Sequence, residues 1–377
     1  MRIATLTCHN VYNAGASLQA YSLQRYLQAL GHNVEIIDYV PQYLQHYPLW
    51  GGAYGKYSYP FIRTMFSVAK FPVRLYHRMT SRRKKCFDNF TRTYLNLTKQ
   101  HYTCYDDIEN NPPLADIYIA GSDQIWNTLF KNGRDPAFYL SFASADSIRA
   151  SYAASFATDR IKAEYVSKVS NWLSKMNFIG VRETSGLQIL RQLGITKGTV
   201  NVDPVFLLDH TQWEELVSPH ITSLPKGRYL FVCDFEKSSL LRNIVQQIAY
   251  ENNLEIITWQ KLSYGNQHFG DYGPLEFLNL IRNSAYVVSN SFHATAFAII
   301  FKKPFQVLGR VETINSRMKD LVNMLHLSSR FISDMKYERT NIEYTDVYIY
   351  LDQMIHESKV YLENIINSSF QQETCHG

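Results

Sequence analysis

His293, within the stretch Ser289–Phe305, is the residue whose type and placement most invite chemistry. Ala285–Val288 ahead of it is a short apolar, β-branched run and reads as a buried strand. Asn290 and Ser291 supply N-cap chemistry, and an apolar segment without glycine follows until Pro304 stops it. The spacing predicts strand, tight turn and buried helix, with His293 in the helix's first turn. A helix N-terminus presents unpaired N–H groups and the positive end of the dipole. A histidine there can donate to a phosphate or carboxylate, or move a proton; the alternative is a histidine that caps or packs. Other polar residues stand at further expected strand ends: His9, Asn13, Asp123, Ser155 and Arg182. Singly, each has a plainer use. Asp123 suits an N-cap or turn, Arg182 can pair with Glu183 or another acid, and Trp126 nearby suits a core.

Parallel sheets would gather those ends. Ile3–Thr7 reads as a strand, followed by a loop and a helix from about Ala16. Leu23, Tyr26, Leu27 and Leu30 fall at i, i+3, i+4, i+7, Gly31 sits where a C-cap glycine belongs, and Val34–Asp38 is the next strand. The loop lacks the G-x-G-x-x-G of a dinucleotide site. Strands are expected at Ile117–Ala120, Ser151–Ser155, Phe178–Val181 and Val200–Leu208, with helices at Lys162–Met176 and after a Thr184 or Ser185 cap. The polar Asp209–Gly227 segment, with Pro219 and Pro225, suits a domain junction. A second set follows, with strands Tyr229–Cys233, Glu255–Thr258, Ala285–Val288 and Phe305–Leu308. Its helices are Leu240–Glu251, Pro274–Arg282, Met318–Leu327 and Val347–Ile366. The expected class is α/β, with two Rossmann-like doubly wound domains facing a cleft in a GT-B-like arrangement. Residues 1–210 form the first, with a basic, aromatic insertion at about 41–101. Residues 211–377 form the second, carrying the Ser-Phe-His-Ala-Thr-Ala-Phe signature and a C-terminal helix. Ligands of such sheets bind beyond the carboxyl ends of the strands.

Composition narrows the class. The 377 residues suffice for two cores, and 46% hydrophobic with 14% aromatic residues is globular. A formal charge of +5 favours anionic ligands but is too weak to argue nucleic acid. The five cysteines are scattered without a C-x-x-C pair, indicating neither a disulfide framework nor a zinc site and fitting a reducing cytoplasm. There is no signal-peptide pattern and no uncharged apolar run of about 18 residues, so a cytoplasmic location is expected. Arg63, Lys70, Arg74, Arg78, Arg82, Arg83, Lys84, Lys85 and Arg92 face Asp88 alone as counter-charge, with aromatics interleaved. That stretch fits contact with the inner face of an anionic membrane, a lipid-linked diphosphate, or a solvated helical insertion.

The pattern resembles the polysaccharide pyruvyl transferase family. The resemblance is carried by Asn13-Ala14-Gly15-Ala16-Ser17-Leu18-Gln19-Ala20-Tyr21-Ser22-Leu23, Gly121-Ser122-Asp123-Gln124-Ile125-Trp126-Asn127 and Ser151-Tyr152-Ala153-Ala154-Ser155-Phe156. Val181-Arg182-Glu183, Asp203-Pro204 and Asn290-Ser291-Phe292-His293-Ala294-Thr295 through Lys303-Pro304-Phe305 continue it. It implies an enzyme that moves the enolpyruvyl unit of phosphoenolpyruvate onto two hydroxyls of a sugar in a cell-surface polysaccharide precursor, free or lipid-linked, closing a cyclic ketal and releasing phosphate. Phosphoenolpyruvate would be the donor substrate, with no cofactor and no metal. The resemblance gives Arg182 to the donor's oxyanions, His293 to the phosphate or to proton donation, and Asp123 to the base role or to a sugar hydroxyl. Trp126 would stack on the acceptor ring or pack in the core, while Asn13, Ser155 and Ser291 would line the substrate. Better-characterised branches carry arginine-leucine-histidine where Ser291-Phe292-His293 stands here; Lys302, Lys303, Arg310 or Arg317 could supply the cation. Two other readings remain: a nucleotide-sugar glycosyltransferase of the same architecture, and a non-catalytic glycan- or anion-binding relative.

Overall fold

A computed structural model describes residues 1–45, 76, 79–218, 225–309 and 316–375. Two parallel sheets organise them. The first comprises β1 (Arg2–Leu6), β2 (Asn33–Tyr39), β3 (Leu97–Tyr102), β4 (Ile117–Ala120), β5 (Ile148–Ala154), β6 (Phe178–Val181) and β7 (Thr199–Val200), in the order β3-β2-β1-β4-β5-β6-β7. The second comprises β8 (Tyr229–Cys233), β9 (Glu255–Thr258), β10 (Gln267–His268), β11 (Tyr286–Ser289), β12 (Phe305–Leu308) and β13 (Phe331–Ile332), in the order β10-β9-β8-β11-β12-β13. Each order reverses once, between β1 and β4 and between β8 and β11. Those reversals open the crevices in which doubly wound sheets bind ligands. The central strands are covered on both faces and mostly apolar: every residue of β4, β8 and β12 is buried, Gln306 of β12 being the polar exception.

The helices are α1 (Ala14–Ala29), α2 (Arg82–Tyr94), α3 (Tyr105–Asn110), α4 (Val166–Ser174), α5 (Thr184–Gln192), α6 (His210–Val217), α7 (Ser239–Asn252), α8 (Pro274–Asn283), α9 (Phe292–Ile300), α10 (Ser316–Met324) and α11 (Tyr344–Cys375). The α/β class with two doubly wound sheets is as expected, and the differences are local. The expected insertion ends earlier than residue 101, because β3 pairs in parallel with β2. Lys99, Gln100 and His101 are exposed on this edge strand, so no apolar alternation announces it. The strand expected over Val200–Leu208 stops at Val200; Asp203 then caps a short 3₁₀ turn at Pro204–Phe206, where proline removes a ladder donor. Glu183, and not Thr184 or Ser185, is the N-cap residue of α5.

The C-terminal helix belongs to both units. Near its start, the Tyr344 hydroxyl donates to the Lys303 carbonyl at 2.6 Å. Further along, Ser358 Oγ accepts from the Val202 N–H at 2.9 Å, and the Tyr361 hydroxyl donates to the Ser151 carbonyl at 2.9 Å. A second tie precedes the first sheet's edge: Arg83 donates both to the Tyr12 carbonyl and to the Gly270 carbonyl. Arg82 lies 3.7 Å over the Tyr272 ring, and Lys84 pairs with Asp88. These cations of the basic stretch are engaged within the protein, while Arg63, Lys70, Arg74 and Arg78 lie outside the described residues. Among the described residues no helix is long and apolar enough to cross a membrane.

Candidate active site

Two helix N-termini meet across the cleft. Asn13 caps α1, its Oδ1 accepting from the N–H groups of Gly15 at 3.0 Å and Ala16 at 3.4 Å. Ser291 caps α9, its Oγ accepting from Ala294 N–H at 3.5 Å, and its own N–H donates to Ser289 Oγ at 2.8 Å. Gly15, in the first turn of α1, lies directly against His293, in the first turn of α9. A Cβ at Gly15 would stand 2.1 Å from His293 Nδ1, so only glycine permits this approach.

Beyond His293 lies a compact set of charges. Asp203 follows β7 and is fully buried. Its Oδ2 accepts from Arg182 Nη1 at 2.5 Å and stands 3.6 Å from His293 Nε2, in ion-pairing range but beyond a good hydrogen bond. Arg182 Nη2 is 3.6 Å from Asp123 Oδ1, and Arg317 Nη1, from α10 of the second unit, is 3.8 Å from the same oxygen. Asp123 follows β4 at the first switch point with φ +68°, a left-handed conformation that aspartate tolerates better than most residues. Its side chain keeps 19% exposure, so a ligand hydroxyl can reach it. Phe292 lies beside both guanidiniums, 4.5 Å from Arg182 and 5.9 Å from Arg317. Such contacts contribute about 0.5–2 kcal/mol each and orient the cations without neutralising them.

Burial and charge oppose one another here. Burial alone would raise the proton affinity of Asp203; the His293 and Arg182 charges reverse that and hold it well below the usual carboxylate range. Burial would likewise weaken the Arg182 cation, but Asp203, Asp123 and Glu183 strengthen it. Glu183 goes the other way. Its burial outweighs Arg182 and Arg317 and raises its proton affinity, while Oε1 accepts from Ser155 Oγ at 2.8 Å and from Ala157 N–H at 3.0 Å. Arg182 Nε and Nη2 and His293 Nε2 are buried and make no hydrogen bond among the described residues. Unmatched donors on a cation and a histidine, converging in one cleft, are the chemistry an oxyanion completes.

The geometry thus brings together His293, Arg182, Asp123 and Arg317 of the residues singled out from sequence. Asn13 and Ser291 sit at the cleft with their side-chain oxygens used as caps. Ser155 is buried and given to Glu183. Trp126 needs correcting: it is fully buried, stacked on Tyr139 with ring centroids 5.6 Å apart, and its indole N–H donates to the Phe138 carbonyl at 3.0 Å. It is core, and no sugar can reach it. Of the cations weighed for the position of Ser291, Arg317 alone of those described enters the site. Lys302 and Lys303 follow the far end of α9, with Lys302 over the Tyr348 ring, and Arg310 lies outside the described residues. Asp203, Phe292 and Gly15 were not assigned roles from sequence; the Asp203-Pro204 pair at a strand end was the available signal.

The second switch point is closed by the protein itself. Asp234 follows β8, and its carboxylate accepts from the N–H groups of Glu236, Lys237 and Ser238, each at 3.0 Å, and from Asn290 Nδ2 at 2.7 Å. A nest of backbone donors at the start of α7, suited to a phosphate, is filled by a resident carboxylate.

Two doubly wound units meet at a cleft that holds two guanidiniums, their carboxylate partners and a histidine at a helix start. The chain belongs to the polysaccharide pyruvyl transferase family, which it matches over residues 13–310. No curated protein matches it. Among solved structures it is similar to the UDP-GlcNAc 2-epimerase of Neisseria meningitidis, at 13% identity and TM-score 0.44, covering 97% of this chain and 94% of that one. It is similar to the UDP-GlcNAc 2-epimerase of Methanocaldococcus jannaschii at 12% identity and TM-score 0.48, covering 94% and 93%. The ADP-heptose lps heptosyltransferase II of E. coli is a third, at 11% identity and TM-score 0.37, covering 95% and 100%.

Proposed function

We propose that the protein transfers the pyruvyl unit of phosphoenolpyruvate to two hydroxyls of a sugar in a polysaccharide precursor, forming a cyclic ketal and releasing phosphate. The observation that carries this reading is the pair of guanidiniums, Arg182 from one unit and Arg317 from the other, beside the unmatched Nε2 of His293. The donor bears a phosphate and a carboxylate, and two forks with one imidazole answer two oxyanions. In the first step a sugar hydroxyl oxygen bonds to C2 of the donor as the C2–C3 double bond opens, its proton passes to a base, and C3 gains a proton. In the second, the other hydroxyl bonds to C2 as the C2–O bond to phosphate breaks, and its proton passes to a base or to the departing phosphate. In this reading His293, in ion-pairing range of Asp203, protonates C3 or meets the phosphate, and Asp123 takes or anchors a sugar hydroxyl. The nest filled by Asp234 supports this donor over a nucleotide sugar, whose diphosphate would need such donors.

The test is phosphate release from phosphoenolpyruvate with an acceptor panel, tracing isotope from the donor into the glycan. His293→Ala, folded by circular dichroism, is expected to lose about 10²–10⁴-fold in rate. Label arriving only from a nucleotide sugar, or full activity in the variant, would overturn the assignment.

A further inference from the structure

Asp320 lies outside the charge cluster, yet its contacts place a member of it. Its Oδ2 accepts from the backbone N–H of Thr184 at 3.0 Å and from the Thr184 hydroxyl at 2.8 Å. Thr184 is the first residue of α5, directly after Arg182 and Glu183, so Asp320 meets the positive end of that helix. Asp320 belongs to α10 of the second unit, and Thr184 to the first. Arg317 stands three positions before Asp320 on the same helix, one turn away. It is buried at 6% exposure and aims at Asp123 of the first unit. The cap contact and the guanidinium are therefore two ends of one rigid turn, docked across the cleft.

We propose that Thr184 and Asp320 form a docking latch that sets Arg317 against the donor anion, making Asp320 a positioning residue for substrate binding. This rests on the pyruvyl-transfer reading of the same site. The latch links closure of the two units to completion of the anion site: Arg182 is present in the first unit alone, and Arg317 joins it when α10 docks on α5. Thr184 is exposed and Asp320 half-buried, so their replacement leaves both cores intact.

The experiment uses the full chain as parent, Asp320→Ala, Arg317→Ala and the double variant. Inorganic phosphate and phosphoenolpyruvate binding are followed by calorimetry, and turnover by phosphate release. Asp320→Ala is expected to weaken both anions about tenfold and to raise KM similarly, with kcat changed by less than about threefold, the loss of one charge-assisted contact. The double variant should bind no more weakly than Arg317→Ala, because the latch acts through Arg317. Thr184→Val, which keeps the backbone donor, should show a smaller loss. Equal weakening by Asp320→Ala in the parent and in the Arg317→Ala background would overturn the latch, as would unchanged binding. A parent that binds phosphate and shows these couplings but never turns over phosphoenolpyruvate keeps the latch and removes the pyruvyl reading. A parent that binds neither anion overturns both.

Discussion

Asp203 is the residue on which the charges of the cleft converge, and its own ionisation is what they stabilise. Its proton affinity is depressed in the fold, so its contribution is present above the unfolded carboxylate value of about pH 4 and is lost as pH falls from there towards the lower folded value. Asp203→Asn leaves Arg182 buried beside a neutral partner and is expected to cost about 3–5 kcal/mol at pH 7. Urea unfolding across pH should show the gap between variant and parent narrowing below about pH 4; a gap constant with pH would mean that another group holds Arg182. At this scale the sequence is least legible. Trp126 has the right type to stack on a sugar, and only the neighbouring Tyr139 and Phe138, brought by the fold, make it core. Arg317 was one of four cations any of which could serve, and the choice depends on how the second unit sits against the first.

At the scale of elements, the site is an encounter of two helix starts. Here the sequence was far more legible. The runs Ile117–Ala120, Phe178–Val181, Tyr229–Cys233, Glu255–Thr258 and Phe305–Leu308 are strands with the bounds that their apolar runs indicate. The cap at Ser291 follows from residue type as well. What no single element encodes is that α1 and α9 touch, since Gly15 and His293 lie far apart in sequence, in helices that follow strands of different sheets. Gly15→Ala tests that contact. Its methyl group must push His293 or the α1 start aside, at about 1–3 kcal/mol of overpacking. A displacement near 1 Å at the imidazole is expected to lower the rate about 10²-fold. Kinetics beside thermal unfolding would separate the two effects, and a variant with the parent's rate would show that His293 need not stay where Gly15 allows it.

The whole molecule is two sheets tied at several places. The C-terminal helix stitches the end of α9 to β5 and to the segment after β7, Arg83 joins the loop after β1 to the loop after β10, and Asp320 joins α10 to the start of α5. Legibility fails most here, because each tie pairs groups whose sequence separation carries no periodicity. One local set of contacts, within the second unit, bears on what the molecule ignores. A cell is crowded with nucleoside di- and triphosphates, each a competitor for any open cradle of backbone N–H groups. Asp234 is a permanent tenant of the cradle at the second switch point, covalently part of the chain and never diluted away. The consequence is insulation from the nucleotide pool: ADP or UDP in tenfold excess over the donor should leave the rate of phosphate release unchanged. Competitive inhibition by either would show that the tenant can be evicted.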